Sequence, residues 1–106
     1  MQYLVRLTDR AFRDFGAIYE FIEADSSESA FAWFNGLAEA IHSLERFAER
    51  GSPIPEDKKL HHLLFGKKPN MYRIIYALDK RKNSVDVLHI RHGAMAPLSP
   101  EQETQP

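Results

Sequence analysis

Apolar and polar positions alternate along Gln2–Leu7 and the run stops at Thr8-Asp9, which predicts a first β-strand. The period then changes. Ala11, Phe12, Phe15, Ile18, Tyr19 and Ile22 recur at helical spacing and predict a helix over about residues 9–23, with Thr8 as its N-cap and Asp9 at the positive end. Gly16 interrupts that stripe, weakens the helix by roughly 1 kcal/mol against Ala, and marks a candidate close approach to a neighbouring backbone.

Asp25-Ser26-Ser27-Glu28 breaks the pattern and restarts it, with Asp25 or Ser26 as the expected cap of a second helix running to about Glu49. Its stripe is Ala30, Phe34, Leu37, Ile41, Leu44 and Ala48, widened by Phe31, Ala38 and Phe47, and both stripes read as core rather than as a cofactor site. Gly51, Pro53 and Pro55 end it, and the short connection predicts an antiparallel helical hairpin. Residues 51–59 read as a loop and Leu60–Phe65 as a short strand. Met71–Leu78 and Val85–Ile90 read as a β-hairpin turning at residues 79–84. The resulting order, β-α-α-β-β-β, is an α+β domain with the helical hairpin packed on one face of a small antiparallel-rich sheet. Residues 1–98 form the expected single domain, and 99–106, with Pro100, Pro106 and no basic residue, a flexible C-terminal tail.

Composition alters this picture mainly through charge. The net charge of −1 conceals a division: residues 1–57 carry five basic and eleven acidic residues, residues 58–92 nine basic and two acidic. Four of the five histidines also fall in the second part, which favours an anionic partner there. Lysine-rich strand edges that prevent aggregation account equally well for Lys58, Lys59 and Lys80–Lys82, and less well for Arg73 and Arg91. With no cysteine, neither a disulfide framework nor a zinc–thiolate site is available, and a reducing compartment suits the chain. The opening MQYLVRL has no basic segment followed by a long apolar stretch, so neither a signal peptide nor a membrane span is expected, and the cytoplasm is the expected location.

Arg73, His89, Arg91 and His92 lie among apolar strand residues, where burial of a charge is costly, so they are expected to look onto a wet face. His61 and His62 are adjacent and His89 and His92 have opposite strand parity, so neither pair chelates from one side; no metal or other cofactor is expected. No phosphate loop, dinucleotide fingerprint or nucleophile elbow is present. Lys67, Lys68, Arg73, Arg91 and His92 remain as a cationic set. Such a set can hold RNA phosphates and stabilise a developing phosphorane, with His92 as general acid or base. A strand-end histidine bonded to a turn carbonyl is the equally simple structural alternative. Parity alone does not place Arg73 and Arg91 on one face.

Three pieces, Leu63-Leu64-Phe65-Gly66-Lys67, Tyr72-Arg73-Ile74-Ile75-Tyr76 and Val87-Leu88-His89-Ile90-Arg91-His92-Gly93-Ala94, resemble the RelE/ParE superfamily of toxins from type II toxin–antitoxin (plasmid stabilisation) modules. Tyr3, Val5, Leu7 and Thr8 fit as well, and the resemblance extends to about Leu98. It implies a growth-inhibiting toxin neutralised by a cognate antitoxin in a hetero-oligomer, with operator DNA reached only through the antitoxin. RelE-like members cut mRNA in the ribosomal A site, whereas ParE-like members poison DNA gyrase without nuclease activity. The resemblance aligns Arg73 with the strand arginine that RelE-like enzymes use at the scissile phosphate, so Arg73 and His92 are catalytic candidates only on that branch. The family's HGAR ending is HGAM here, with Met95 at the basic position, and no Lys, Arg, His or Tyr follows His92. With a pI near 6.5, these departures tilt the expectation toward gyrase inhibition, with mRNA cleavage or an attenuated toxin kept for antitoxin binding as alternatives. Lys67, Lys68, Arg73 and Arg91 are the expected target-binding residues. Trp33, Tyr72 and Tyr76 are the expected antitoxin-binding aromatics.

Overall fold

The computed structural model describes residues 2–55, 57–67 and 70–93. Its elements are β1 (Leu4–Leu7), α1 (Asp9–Phe21), α2 (Glu28–His42), a 3-10 turn (Ser43–Glu45), β2 (Ser52–Ile54), β3 (Asp57–Phe65), β4 (Tyr72–Asp79) and β5 (Ser84–His92). The strands form one sheet in the order β1-β5-β4-β3-β2. Only β1 runs parallel to its neighbour; the other pairings are antiparallel. The α+β expectation therefore holds, with one strand more than the alternation predicts.

Thr8 begins α1 as expected: its hydroxyl oxygen accepts from the Ala11 amide at 3.1 Å. The same hydroxyl donates toward the carbonyls of Val87 and Leu88, at 3.1 and 3.2 Å, so one side chain both starts the helix and ties it to β5. The second cap is Ser27, not Asp25 or Ser26: the Ser27 hydroxyl accepts from the Ala30 amide, while Ser26 donates to the Glu23 carbonyl in the connecting turn. The helix it starts ends at His42, well short of Glu49. The Ser43 hydroxyl donates back to the Ala40 carbonyl and the chain tightens into the 3-10 turn, which still buries Leu44. Burial of Leu44 and Ala48 continued the apolar stripe without continuing the helix.

The expected loop over residues 51–59 is largely strand. Ser52 and Pro53 pair with His62 and His61, and β3 begins at Asp57. The proline hid this strand, but it lies on the sheet edge, where a missing amide donor costs no ladder bond. Gly51 before it sits so close to its neighbours that an added Cβ would lie 2.5 Å from the Tyr76 hydroxyl and 2.6 Å from the His62 carbonyl oxygen. At Gly16, by contrast, a Cβ would meet nothing within 4 Å, so the close approach expected there is absent.

The helices cover one face of the sheet. Ile18, Phe34, Leu37 and Ile41 pack with Leu63, Ile74, Tyr76, Val85, Val87 and Ile90 in the main core. A smaller cluster of Ile54, Leu60 and Ile75, flanked by Ala77 and Leu88, forms on the other face. Three residues of the helical stripes stay outside: Phe12, Phe31 and Phe47 are exposed. No helix among the described residues is long and apolar enough to cross a membrane. The expected tail, 99–106, and Met95 lie outside the described residues.

Candidate functional site

The registers decide which basic residues meet. Arg73 stands directly opposite Arg91 and beside Leu64, while Ile75 is flanked by His62 and His89. Arg73 and Ile75, two apart on one strand, share a face, and Ile75 belongs to the cluster remote from the helices. The helix-free face thus carries Arg73, Arg91, His62 and His89 in two adjacent rows. Arg73 Nε donates to His62 Nδ1 at 3.1 Å, which requires that nitrogen to be unprotonated.

The expectation that all four strand cations look onto water needs correction. Arg73 and His92 are half-buried, but His89 and Arg91 are buried, each with interaction partners. β5 lies beside β4, so its side chains on this face are flanked by Arg73 and Ile75. A buried guanidinium remains charged and must be held by polar neighbours. Arg91 is therefore built into the sheet and not displayed as a free anchor for a target.

His92 does not join this group. It pairs with Tyr72 across the strands, and its ring meets the Tyr72 ring edge-on with centroids 5.1 Å apart, on the helix side. Arg73 and His92, the two catalytic candidates, consequently stand on opposite faces and do not assemble one site. Lys67 is exposed immediately beyond β3, after Gly66, whose φ of 98° demands glycine. Lys68 lies outside the described residues. No group of side chains suited to a metal ion occurs among the described residues.

The three expected partner-binding aromatics separate as well. Trp33 is half-buried and packs edge-on against Phe65 and Tyr72, at 5.2 and 5.5 Å between centroids. Tyr72 is largely covered. Tyr76 is fully buried: its hydroxyl donates to the Ala48 carbonyl at 2.6 Å and accepts from the Gly51 amide at 3.1 Å. Burial raises the phenol pKa of both tyrosines; at Tyr76 the Gly51 amide works against that rise. Tyr76 is a core residue, which corrects its assignment as a contact for a partner.

Sequence reasoning missed a hollow of about 410 Å³ between α1 and the last part of β5. Ile18, Tyr72 and Ile90 are among its lining, Ala17 and Phe21 stand on its α1 side, and Arg10, Asp14, Arg91 and His92 complete it. Asp14 accepts from the Ile90 amide at 3.1 Å and lies 3.6 Å from Arg10. The available signal was Phe21, a large aromatic off the buried stripe of α1 and 78% exposed.

The model of the ParE toxin of the type II toxin–antitoxin system parDE matches residues 5–97. The chain belongs to the ParE toxin family. No curated protein matches it in sequence. Among solved structures, this ParE-family chain is similar in fold to the toxin–antitoxin complex RelBE2 from Mycobacterium tuberculosis (23% identity, TM-score 0.64, covering 87% of this chain and 99% of that one). It is likewise similar to the chromosomal ParDE system from P. aeruginosa (19% identity, TM-score 0.66, covering 86% and 96%). A third similar structure is an arginine-to-alanine double mutant of the E. coli toxin RelE in the free state (12% identity, TM-score 0.59, covering 89% and 86%). At these identities the structures attest the fold, and the family match makes this chain the toxin of a type II toxin–antitoxin system.

Proposed function

We propose that this ParE-family toxin arrests growth by inhibiting DNA gyrase through protein contact, and that a cognate antitoxin holds it inactive in a cytoplasmic hetero-oligomer. The observation that carries the reading is the ParE family match over residues 5–97. Two features support it against nuclease chemistry: Arg73 and His92 stand on opposite faces of the sheet, and Met95 stands where the family's ending carries a basic residue. The antitoxin partner is supported by the Mycobacterium tuberculosis and P. aeruginosa relatives in fold, which are a toxin–antitoxin complex and a ParDE toxin–antitoxin system. On this reading, operator DNA is engaged through the antitoxin.

One observation favours a second reading, ribosome-dependent mRNA cleavage: Arg73 stands opposite Arg91 and holds the His62 imidazole, a cation and an acid–base group side by side. Purified toxin is assayed in parallel for gyrase supercoiling and for cleavage of mRNA on translating ribosomes. The expected result is blocked supercoiling with accumulation of cleaved DNA, reversed by antitoxin, and intact mRNA. Mapped mRNA cuts that disappear in Arg73→Ala, with gyrase untouched, would transfer the assignment to the RelE-like activity. Normal growth after induction without antitoxin would leave an attenuated toxin kept for antitoxin binding.

A further inference from the structure

We propose that the open edge of β1 pairs with the same edge of a second copy of this chain, joining two five-stranded sheets across a two-fold axis at Val5. The inference does not depend on what the toxin inhibits.

The two edges of the sheet are built differently. β1 ends the strand order on one side and β2 on the other. The β2 edge carries devices that keep strands apart: it holds Pro53 and shifts register between Pro53 and Ile54. β1 has neither proline nor a register shift, and the charge it carries, Arg6, is already paired with Asp86 at 3.0 Å. Leu4 stands beside it, 62% exposed. An edge of this kind invites another strand.

The backbone groups along the edge fix how a strand would join. The Leu4 and Thr8 amides donate to the Asn83 and Val87 carbonyls, so residues 4, 6 and 8 turn their backbone groups toward β5. Residues 3, 5 and 7 turn theirs outward, and the Tyr3 amide is engaged there by the Glu45 carbonyl at 2.7 Å. Antiparallel pairing centred on Val5 uses the rest: the two Val5 residues exchange both their bonds, and each Leu7 amide meets the partner's Tyr3 carbonyl. The side chains are self-complementary in the same register. On the helix side Val5 meets Val5 and Tyr3 meets Leu7, residues that one copy buries only in part against its core. On the other face Leu4 lies against the aliphatic stem of Arg6. No charge stands directly opposite a like charge, and a net charge of −1 leaves little repulsion between copies. A hollow of about 520 Å³, lined by Gln2, Tyr3, Leu4 and Val5 with His42 and Glu45, leaves the strand approachable. An unrelated strand would find the same hydrogen bonds; the match of the row Tyr3-Val5-Leu7 to its own reverse is what favours a second copy. Such a contact closes at two copies.

The test follows the mass of the purified toxin by sedimentation from about 1 to about 200 μM, with folding checked by circular dichroism. A contact this small is expected to give a dimer that dissociates in the micromolar range. Leu4→Lys, an exposed change that spares the core, sets a lysine opposite the partner's Arg6 and should weaken the pair about tenfold or more. The register has its own readout. Paired Val5 Cα atoms lie about 5.5 Å apart, within disulfide reach, and the chain has no cysteine of its own. Val5→Cys should therefore cross-link two chains under a mild oxidant, whereas Ser52→Cys, exposed on the opposite edge, should not. A monomer at every concentration overturns the proposal. So does a dimer that keeps its affinity in Leu4→Lys, or one that cross-links through Ser52→Cys and not through Val5→Cys. A monomer whose binding to antitoxin falls in Leu4→Lys also overturns it and gives the edge to the antitoxin.

Discussion

Tyr76 shows how far residue-level reading reaches. As one of several aromatics on an apolar strand it is indistinguishable in sequence from Tyr72, yet its hydroxyl holds the Ala48 carbonyl and the Gly51 amide, residues 28 and 25 positions earlier. Periodicity foretells that it is buried or half-buried; it says nothing about which distant backbone groups it satisfies. Tyr76→Phe keeps the ring and abandons two buried polar groups, which should lower stability by about 2 kcal/mol in urea unfolding with the m-value unchanged. Burial also sets a pH signature. Because the folded state raises the phenol pKa of Tyr72 and Tyr76, their contribution to stability is intact below the ordinary tyrosine pKa and is lost as pH rises through the folded values. A spectroscopic titration should therefore show part of the tyrosinate signal appearing late, together with alkaline unfolding; complete ionisation at ordinary tyrosine pH with the fold intact would contradict the buried placement. Arg91 repeats the lesson for charge. Its place among apolar residues was plain, but its burial depends on Arg73 and Ile75 of the neighbouring strand.

At the scale of elements, both helices and the three longer C-terminal strands were legible because each keeps one period over several residues and is bounded by cap or turn residues such as Thr8 and Gly66. The failures have specific causes. Pro53 disguised β2 because an edge strand tolerates proline, and buried Leu44 and Ala48 prolonged a helical stripe past the point where Ser43 turns the chain into a 3-10 bend. Register was invisible as well, so the meeting of Arg73 with Arg91 and the separation of Arg73 from His92 had to come from the structure. Thr8 is the junction most open to test. Thr8→Ala removes the helix cap and the hydroxyl's bonds to β5 together and should cost about 1–2 kcal/mol, whereas Thr8→Ser, which retains the hydroxyl, should cost much less; equal losses would show that the methyl group matters rather than the oxygen.

Over the whole molecule, the acidic first half and basic second half are partly reconciled by folding. Lys80 of the basic half meets Glu49 of the acidic half at 2.8 Å, whereas Arg6 and Asp86, 3.0 Å apart, each run against the charge of their own half. Lys80 draws the Glu49 pKa below its ordinary value, so this exposed pair persists until pH falls through that lowered pKa. The parallel pairing of β1 with β5 has a further consequence, in time rather than space. Leu4 lies beside Ser84, and α1 packs on β5, so the first strand and first helix await partners that leave the ribosome about eighty residues later. Contacts of such long sequence separation form late in folding. A nascent chain ending before β5 lacks the strand that carries Arg91 and His92, so the meeting of Arg73 with Arg91 and the hollow beside α1 form only after β5 has been made.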